Sequence, residues 1–138
     1  MTTIATDGKS MAGDGLVNAC QIVTGRSQRK VFRLQDGRIF GGCGKVPDVL
    51  RVRDWLNGKA DQPTVDEDFG AIVISRHGGI EWTDDSLCFH QVDTPAAIGS
   101  GMDLALGAME AGCGPSAAVE IAARRDPHTG GTITVEDL

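Results

Sequence analysis

The chain has no C-x-x-C pair: its four cysteines, Cys20, Cys43, Cys88 and Cys113, are scattered through 138 residues. That excludes a metal knuckle and a dithiol redox motif, and fits small buried hydrophobes in a reducing compartment. Long apolar runs are missing too. No stretch approaches the roughly 20 apolar residues of a membrane span. Asp7 and Lys9 interrupt the beginning too early for a secretory leader. A cytoplasmic location with no membrane partner is expected. Basic excess is also absent, since 13 Lys and Arg against 19 Asp and Glu leave a formal charge of −6. A nucleic-acid partner is therefore not expected, because that surface needs clustered cations to displace phosphate counterions. Gly8-Lys9-Ser10 fails as a phosphate loop: Thr3 stands where its first glycine belongs, and no helix pattern follows Ser10. No G-x-S-x-G elbow occurs around Gly99-Ser100-Gly101, and His77, His90 and His128 have no spacing that sets two ligands on one face. Serine–histidine hydrolysis, a metal and any cofactor are unsupported.

What is present suits one domain over residues 1–138, long enough to bury about two-thirds of its extended surface. Residues 2–6 read as a strand that turns at Asp7-Gly8 into a second over Ser10–Ala12. An apolar strand is expected at 20–24. Lys30–Leu34 then turns at Asp36-Gly37 into Arg38–Phe40. Pro47 sits in the first turn of a helix carrying Val46, Val49, Leu50, Val52, Trp55 and Leu56, closed by Gly58. A polar loop, 59–68, leads to a hairpin of 71–75 with 80–83, and residues 86–92 add a short strand. After Ala96–Ile98 come two helices: one carries Leu104, Ala105, Ala108 and Met109, the next starts at Gly114-Pro115 and carries Ala118, Ile121 and Ala122. A last strand is expected at 132–135. Hairpins with a few separate helices imply an α+β fold.

The chemistry begins at Met1-Thr2, because a methionine followed by threonine is normally removed, leaving Thr2 first. A free N-terminal threonine unites a nucleophilic hydroxyl with an amine of pKa about 7.7–8.0 that can take its proton. Lys30 occupies an alternating strand position, so it is either a solvated edge lysine or an inward ammonium beside Asp14. Inward, it favours a neutral Thr2 amine and an alkoxide-like Thr2 oxygen. Gly41-Gly42-Cys43-Gly44, at a strand-to-helix junction, is either a plain tight turn or a source of N–H groups for an oxyanion. Ser100 is a helix cap, a site hydroxyl, or both. Asp126-Pro127-His128-Thr129-Gly130-Gly131 is locally self-sufficient as a turn.

In this order and spacing, Thr2, Ala12-Gly13-Asp14-Gly15, Lys30, Gly41-Gly42-Cys43-Gly44, Gly99-Ser100-Gly101 and the 126–131 turn resemble the proteasome β-subunit family, the bacterial HslV peptidase type included. The resemblance implies a four-layer αββα N-terminal nucleophile hydrolase sandwich, with the helical insert after residue 58 shortened. It implies Thr2 as nucleophile, Asp14 and Lys30 tuning its charge, and the Gly44 amide at the oxyanion. Ser100, Asp126 and Thr129 then orient the Thr2 amine and hydroxyl. Asn18 falls along the substrate backbone, with Gly42 and Val46 in the side-chain pocket. The implied activity is a threonine peptidase acting on peptides or unfolded proteins within a homo-oligomeric ring, with a separate ATPase unfoldase by analogy. A small-amide hydrolase of the same fold is an alternative. So is an inactive ring or scaffold subunit, should Met1 be retained.

Overall fold

The structure, a computed structural model, describes residues 2–138, and it is built from two antiparallel sheets packed face to face, with helices against their outer faces. The first has strand order β10-β1-β2-β11, from Thr3–Thr6 (β1), Ser10–Gly13 (β2), Ala96–Gly99 (β10) and Thr134–Asp137 (β11). The second, order β5-β6-β7-β8-β9, contains Val31–Arg33 (β5), Ile39–Cys43 (β6), Gly70–Ile74 (β7), Ile80–Thr83 (β8) and His90–Val92 (β9). Val17–Ala19 (β3) and Ile22–Gly25 (β4) form a separate hairpin. The helices are Val46–Leu56 (α1), Met102–Glu110 (α2) and Pro115–Ala123 (α3).

Alternating side chains divide the interior into three cores, because successive residues of a strand point to opposite faces. Ile4, Met11, Ile98, Val31, Ile39, Ile72 and Ile74 meet between the sheets. Their neighbours in sequence, Ala5, Ala12 and Ala97, face the other way and meet Ala105, Ala118, Val119 and Ala122 of α2 and α3. Phe40, Ala71 and Val73 likewise turn outward to Val49 and Val52 of α1. The layers therefore run helix, sheet, sheet, helix, as expected from the resemblance.

Both faces being buried explains why β1 and β7 read as continuous apolar or threonine-rich runs, with every residue of each buried. Alanines on the α2–α3 side let those helices approach closely. A comparable device spaces the sheets, since a Cβ on Gly41 would stand 2.5 Å from Met11 Sδ and 2.7 Å from Ile4 Cγ2.

Two strands differ from expectation. The run at 20–24 is not one strand, because Cys20 and Gln21, with φ of 48° and 69°, form the turn between β3 and β4. Ile22 and Val23 are left 68% and 41% exposed. The last strand pairs two residues later than expected, Thr134 opposite Gly13, because the Thr132 amide is taken by the Arg26 carbonyl at 2.7 Å. Residues 57–69 contain no helix, as expected of a shortened insert. The buried Asp48 of α1 ties that segment down, accepting from the Asp66 amide at 3.1 Å and from Arg51 at 2.8 Å. Among the described residues no helix is long and apolar enough to cross a membrane.

The tight contact at Gly41 predicts that Gly41→Ala destabilises the fold by about 1–3 kcal/mol through overpacking. Chemical denaturation checks this, and an unchanged midpoint would mean that the sheets have room to spare.

Candidate active site

Several chain segments meet around one carboxylate. Asp14 follows β2 and is 1% exposed. Its Oδ1 accepts from the Thr2 hydroxyl at 2.9 Å, the Thr3 amide at 3.1 Å and Lys30 Nζ at 3.0 Å. Its Oδ2 accepts from the amides of Leu16 at 3.2 Å and Gly130 at 3.1 Å. The beginning of β1, the β2–β3 connection and the late 126–131 turn are thereby held at one point.

Lys30 takes the inward position. It is 5% exposed, and its ammonium donates to the Leu16 carbonyl at 2.7 Å and to the Thr2 hydroxyl oxygen. Burial pushes Lys30 below the ordinary lysine range, and the opposing pull of the Asp14 carboxylate only partly offsets it. The Thr2 oxygen therefore sends its proton toward Asp14 while a buried cation sits on its lone pair. Negative charge developing on that oxygen meets a positive charge already in place, where little water screens it.

The late turn forms a second cluster. Asp126 Oδ2 accepts from Ser100 Oγ and Thr129 Oγ1, each at 2.5 Å, while its Oδ1 accepts from the His128 amide at 3.1 Å. Burial raises the Asp126 carboxyl, but the hydrogen bonds from Ser100, Thr129 and the His128 amide, with the charge of His128, outweigh it and hold the group below the usual carboxylate range. Ser100 is not a helix cap: Gly101 occupies the cap position of α2 with no side-chain bond. Its hydroxyl also lies 3.4 Å from the Thr2 carbonyl oxygen. The Thr129 hydroxyl bonds to Asp126 and Thr3.

Beside Lys30 opens a cleft of about 500 Å³, lined among others by Leu16, Asn18, Gly44, Val46, Asp68 and His128. Gly44 follows β6 at φ 106° and precedes the first turn of α1, where the positive end of the helix dipole favours an anion. Asn18 Oδ1 is buried without a partner, so it is open to a donor from a bound molecule. Gly42 is not in the lining. Its missing side chain would point away, at Val49 Cγ1 and Phe40 Cζ, 3.0 and 3.1 Å off. Alternation along β6 decides this, as Phe40 and Gly42 share the face toward α1.

Asp68 and His128 were not singled out as lining residues in the sequence. His128 lies inside the Asp126–Thr129 turn, so its position was available; Asp68 had only its place before β7. Thr2 is 1% exposed, and removal of Met1 lies outside the described residues. Cys43, also near Lys30, is pushed up to about 11 by burial. It is a neutral thiol near pH 7 and a poor nucleophile. No group of three metal-ligating side chains occurs among the described residues.

Because the folded Asp126 carboxyl lies below its ordinary value of 3.8, its charge-dependent contribution to stability is complete above about pH 4 and is lost as pH falls through the folded value. The stability gap between the protein and Asp126→Asn should therefore narrow on acidification below about pH 4. Urea melts at a series of pH values read this, and a gap independent of pH would remove the charge from the account.

No family model and no curated protein sequence matches the chain. Solved structures do. BPH from Thiobacillus denitrificans superposes with a TM-score of 0.73 at 18% identity, covering 99% of this chain and 97% of that one. The same protein in complex with epoxomicin gives 0.73 and 18%, covering 99% and 98%. Eukaryotic HslV from Trypanosoma brucei gives 0.72 and 21%, covering 97% of each chain. With its helix–sheet–sheet–helix layering matched over nearly its whole length, the chain has the N-terminal nucleophile hydrolase fold that HslV and BPH share.

Proposed function

We propose that the chain is a threonine peptidase in which Thr2, once Met1 is removed, attacks a peptide carbonyl. One observation carries the reading: the Thr2 hydroxyl lies between the Lys30 ammonium and Asp14 Oδ1, 2.9 Å from the latter, and the same Lys30 lines an open cleft. Buried lysines are rare without a task or a partner, and here the partner pair encloses a hydroxyl.

The reaction runs through an acyl-enzyme. The Thr2 amine takes the hydroxyl proton directly or through water, Lys30 stabilises the oxygen as charge builds, and the Gly44 amide receives the carbonyl oxyanion. The acyl group moves to the Thr2 oxygen, the amine proton leaves with the departing peptide amine, and water then releases the acid. Ser100, Asp126 and Thr129 hold the amine in place. Asn18 Oδ1 accepts a substrate N–H, a role supported by its lack of an internal partner, and Val46 contributes to the side-chain pocket.

The working form is a cytoplasmic homo-oligomeric ring that encloses its sites and degrades unfolded chains, fed by a separate ATPase. Cleavage of a compact amide is the nearest alternative, and a peptide-substrate panel separates the two. An inactive ring subunit is a further reading, favoured by the burial of Thr2 at 1% exposure. It holds if Met1 stays in place, because the nitrogen of residue 2 is then an amide and cannot serve as base.

Intact mass should show a chain starting at Thr2, and that material should hydrolyse peptides. Thr2→Ala should lose activity by about 10³-fold or more while assembling normally on size exclusion. Epoxomicin, which BPH binds in its solved complex, should add to the wild type and not to Thr2→Ala. Retained hydrolysis by Thr2→Ala would point to another nucleophile.

A further inference from the structure

The Thr3 side chain takes no part in the proposed reaction itself. It is fully buried in β1, and its hydroxyl lies 2.6 Å from that of Thr129, a full-strength contact. Counting protons gives its direction. Each hydroxyl has a single proton, and an ionised carboxylate only accepts. Ser100 and Thr129 both spend theirs on Asp126 Oδ2, at 2.5 Å each. Thr129 therefore has only a lone pair left for its neighbour, so Thr3 is the donor. The directed chain runs from Thr3 to Thr129 to Asp126, with Ser100 entering from the other side.

The amide of the same residue donates to Asp14 Oδ1 at 3.1 Å. Residue 3 therefore touches both carboxylate clusters, the one that holds the Thr2 hydroxyl and the one beside the Thr2 carbonyl. Gly101 keeps the space open on the far side: a Cβ there would stand 2.2 Å from Thr3 Oγ1 and 3.2 Å from Asp126 Oδ2. Thr3 does not line the cleft, so whatever it does passes through these neighbours.

We propose that Thr3 is a positioning residue, whose hydroxyl orients Thr129 and Asp126 while its amide holds Asp14, fixing the spacing of the two clusters about Thr2. The proposal rests on Thr2 being the nucleophile. A buried threonine that merely packs makes a different prediction, because valine has the same shape and branching as threonine whereas serine keeps only the hydroxyl.

The test uses full-length protein with Met1 removed. Thr3→Val should lower kcat by roughly ten- to a hundredfold, the scale of a small misplacement, with KM within about twofold. Thr3→Ser should restore kcat to within about threefold of wild type, although it packs less well. Gly101→Ala, which crowds the same hydroxyl from the other side, should reproduce the valine defect and serves if Thr3→Val folds poorly.

A second readout needs no turnover. The ¹³C resonance of the Asp126 carboxyl should titrate at higher pH in Thr3→Val than in wild type and return in Thr3→Ser. His128, whose side chain also acts on Asp126, is the same in all of them. Wild-type kcat in Thr3→Val, a serine variant as slow as the valine one, or an unmoved Asp126 titration would each overturn the proposal. A processed wild type that cleaves no peptide would instead overturn the Thr2 reading, and the carboxyl titration would still decide the role of Thr3.

Discussion

A single carboxylate with five donors holds the working end of this molecule together. Asp14 takes the Thr2 hydroxyl, the Thr3 and Leu16 amides, the Gly130 amide and the Lys30 ammonium. These donors lie up to 116 residues from Asp14 in sequence. Hydrogen bonds to an ionised acceptor are roughly twice as strong as neutral ones, and a buried charge left unpaired is very costly. The site therefore cannot loosen one strand without exposing that charge, and its geometry is set before any ligand arrives.

Lys30 illustrates the same constraint from the cationic side. Desolvation works against its charge and Asp14 works for it, with desolvation ahead. A lysine in that balance holds its proton less firmly than a surface lysine, yet remains a strong local source of positive potential for a neighbouring oxygen. The Asp126 cluster balances the other way: its hydroxyl and amide donors exceed the penalty of burial. One cluster thus controls the charge near the Thr2 oxygen, and the other provides fixed dipoles near its backbone.

The layers behind the site make this rigidity possible. The strands bearing Thr3 and Cys43 are buried on both faces, so they cannot shift without disturbing two cores at once. Register matters for the same reason. A slip of one residue in β1 would send Ile4 toward the alanine-lined helices and Ala5 between the sheets. The 126–131 turn is fastened separately, through the bonds of Gly15 to the Gly130 carbonyl and of Thr132 to the Arg26 carbonyl.

Much of this was legible in the chain itself. Period-two patterning, Asp7-Gly8 and Asp36-Gly37 turns, and Pro47 with its apolar helix face gave most elements, because those signals act within a few residues. The order of Thr2, Asp14, Lys30 and the Asp126–Thr129 turn gave the candidate residues. Three things depended on packing. Whether Lys30 faced water or the interior was open in the alternation pattern, and burial beside Asp14 decided it. The Cys20-Gln21 turn has no glycine or asparagine to announce it, and the side to which Gly42 points follows from the pleat of β6 against α1. Local sequence determined which groups exist and where strands and helices begin; only the closing of sheet on sheet brought those groups within bonding distance, because their partners are held by contacts across the chain rather than along it.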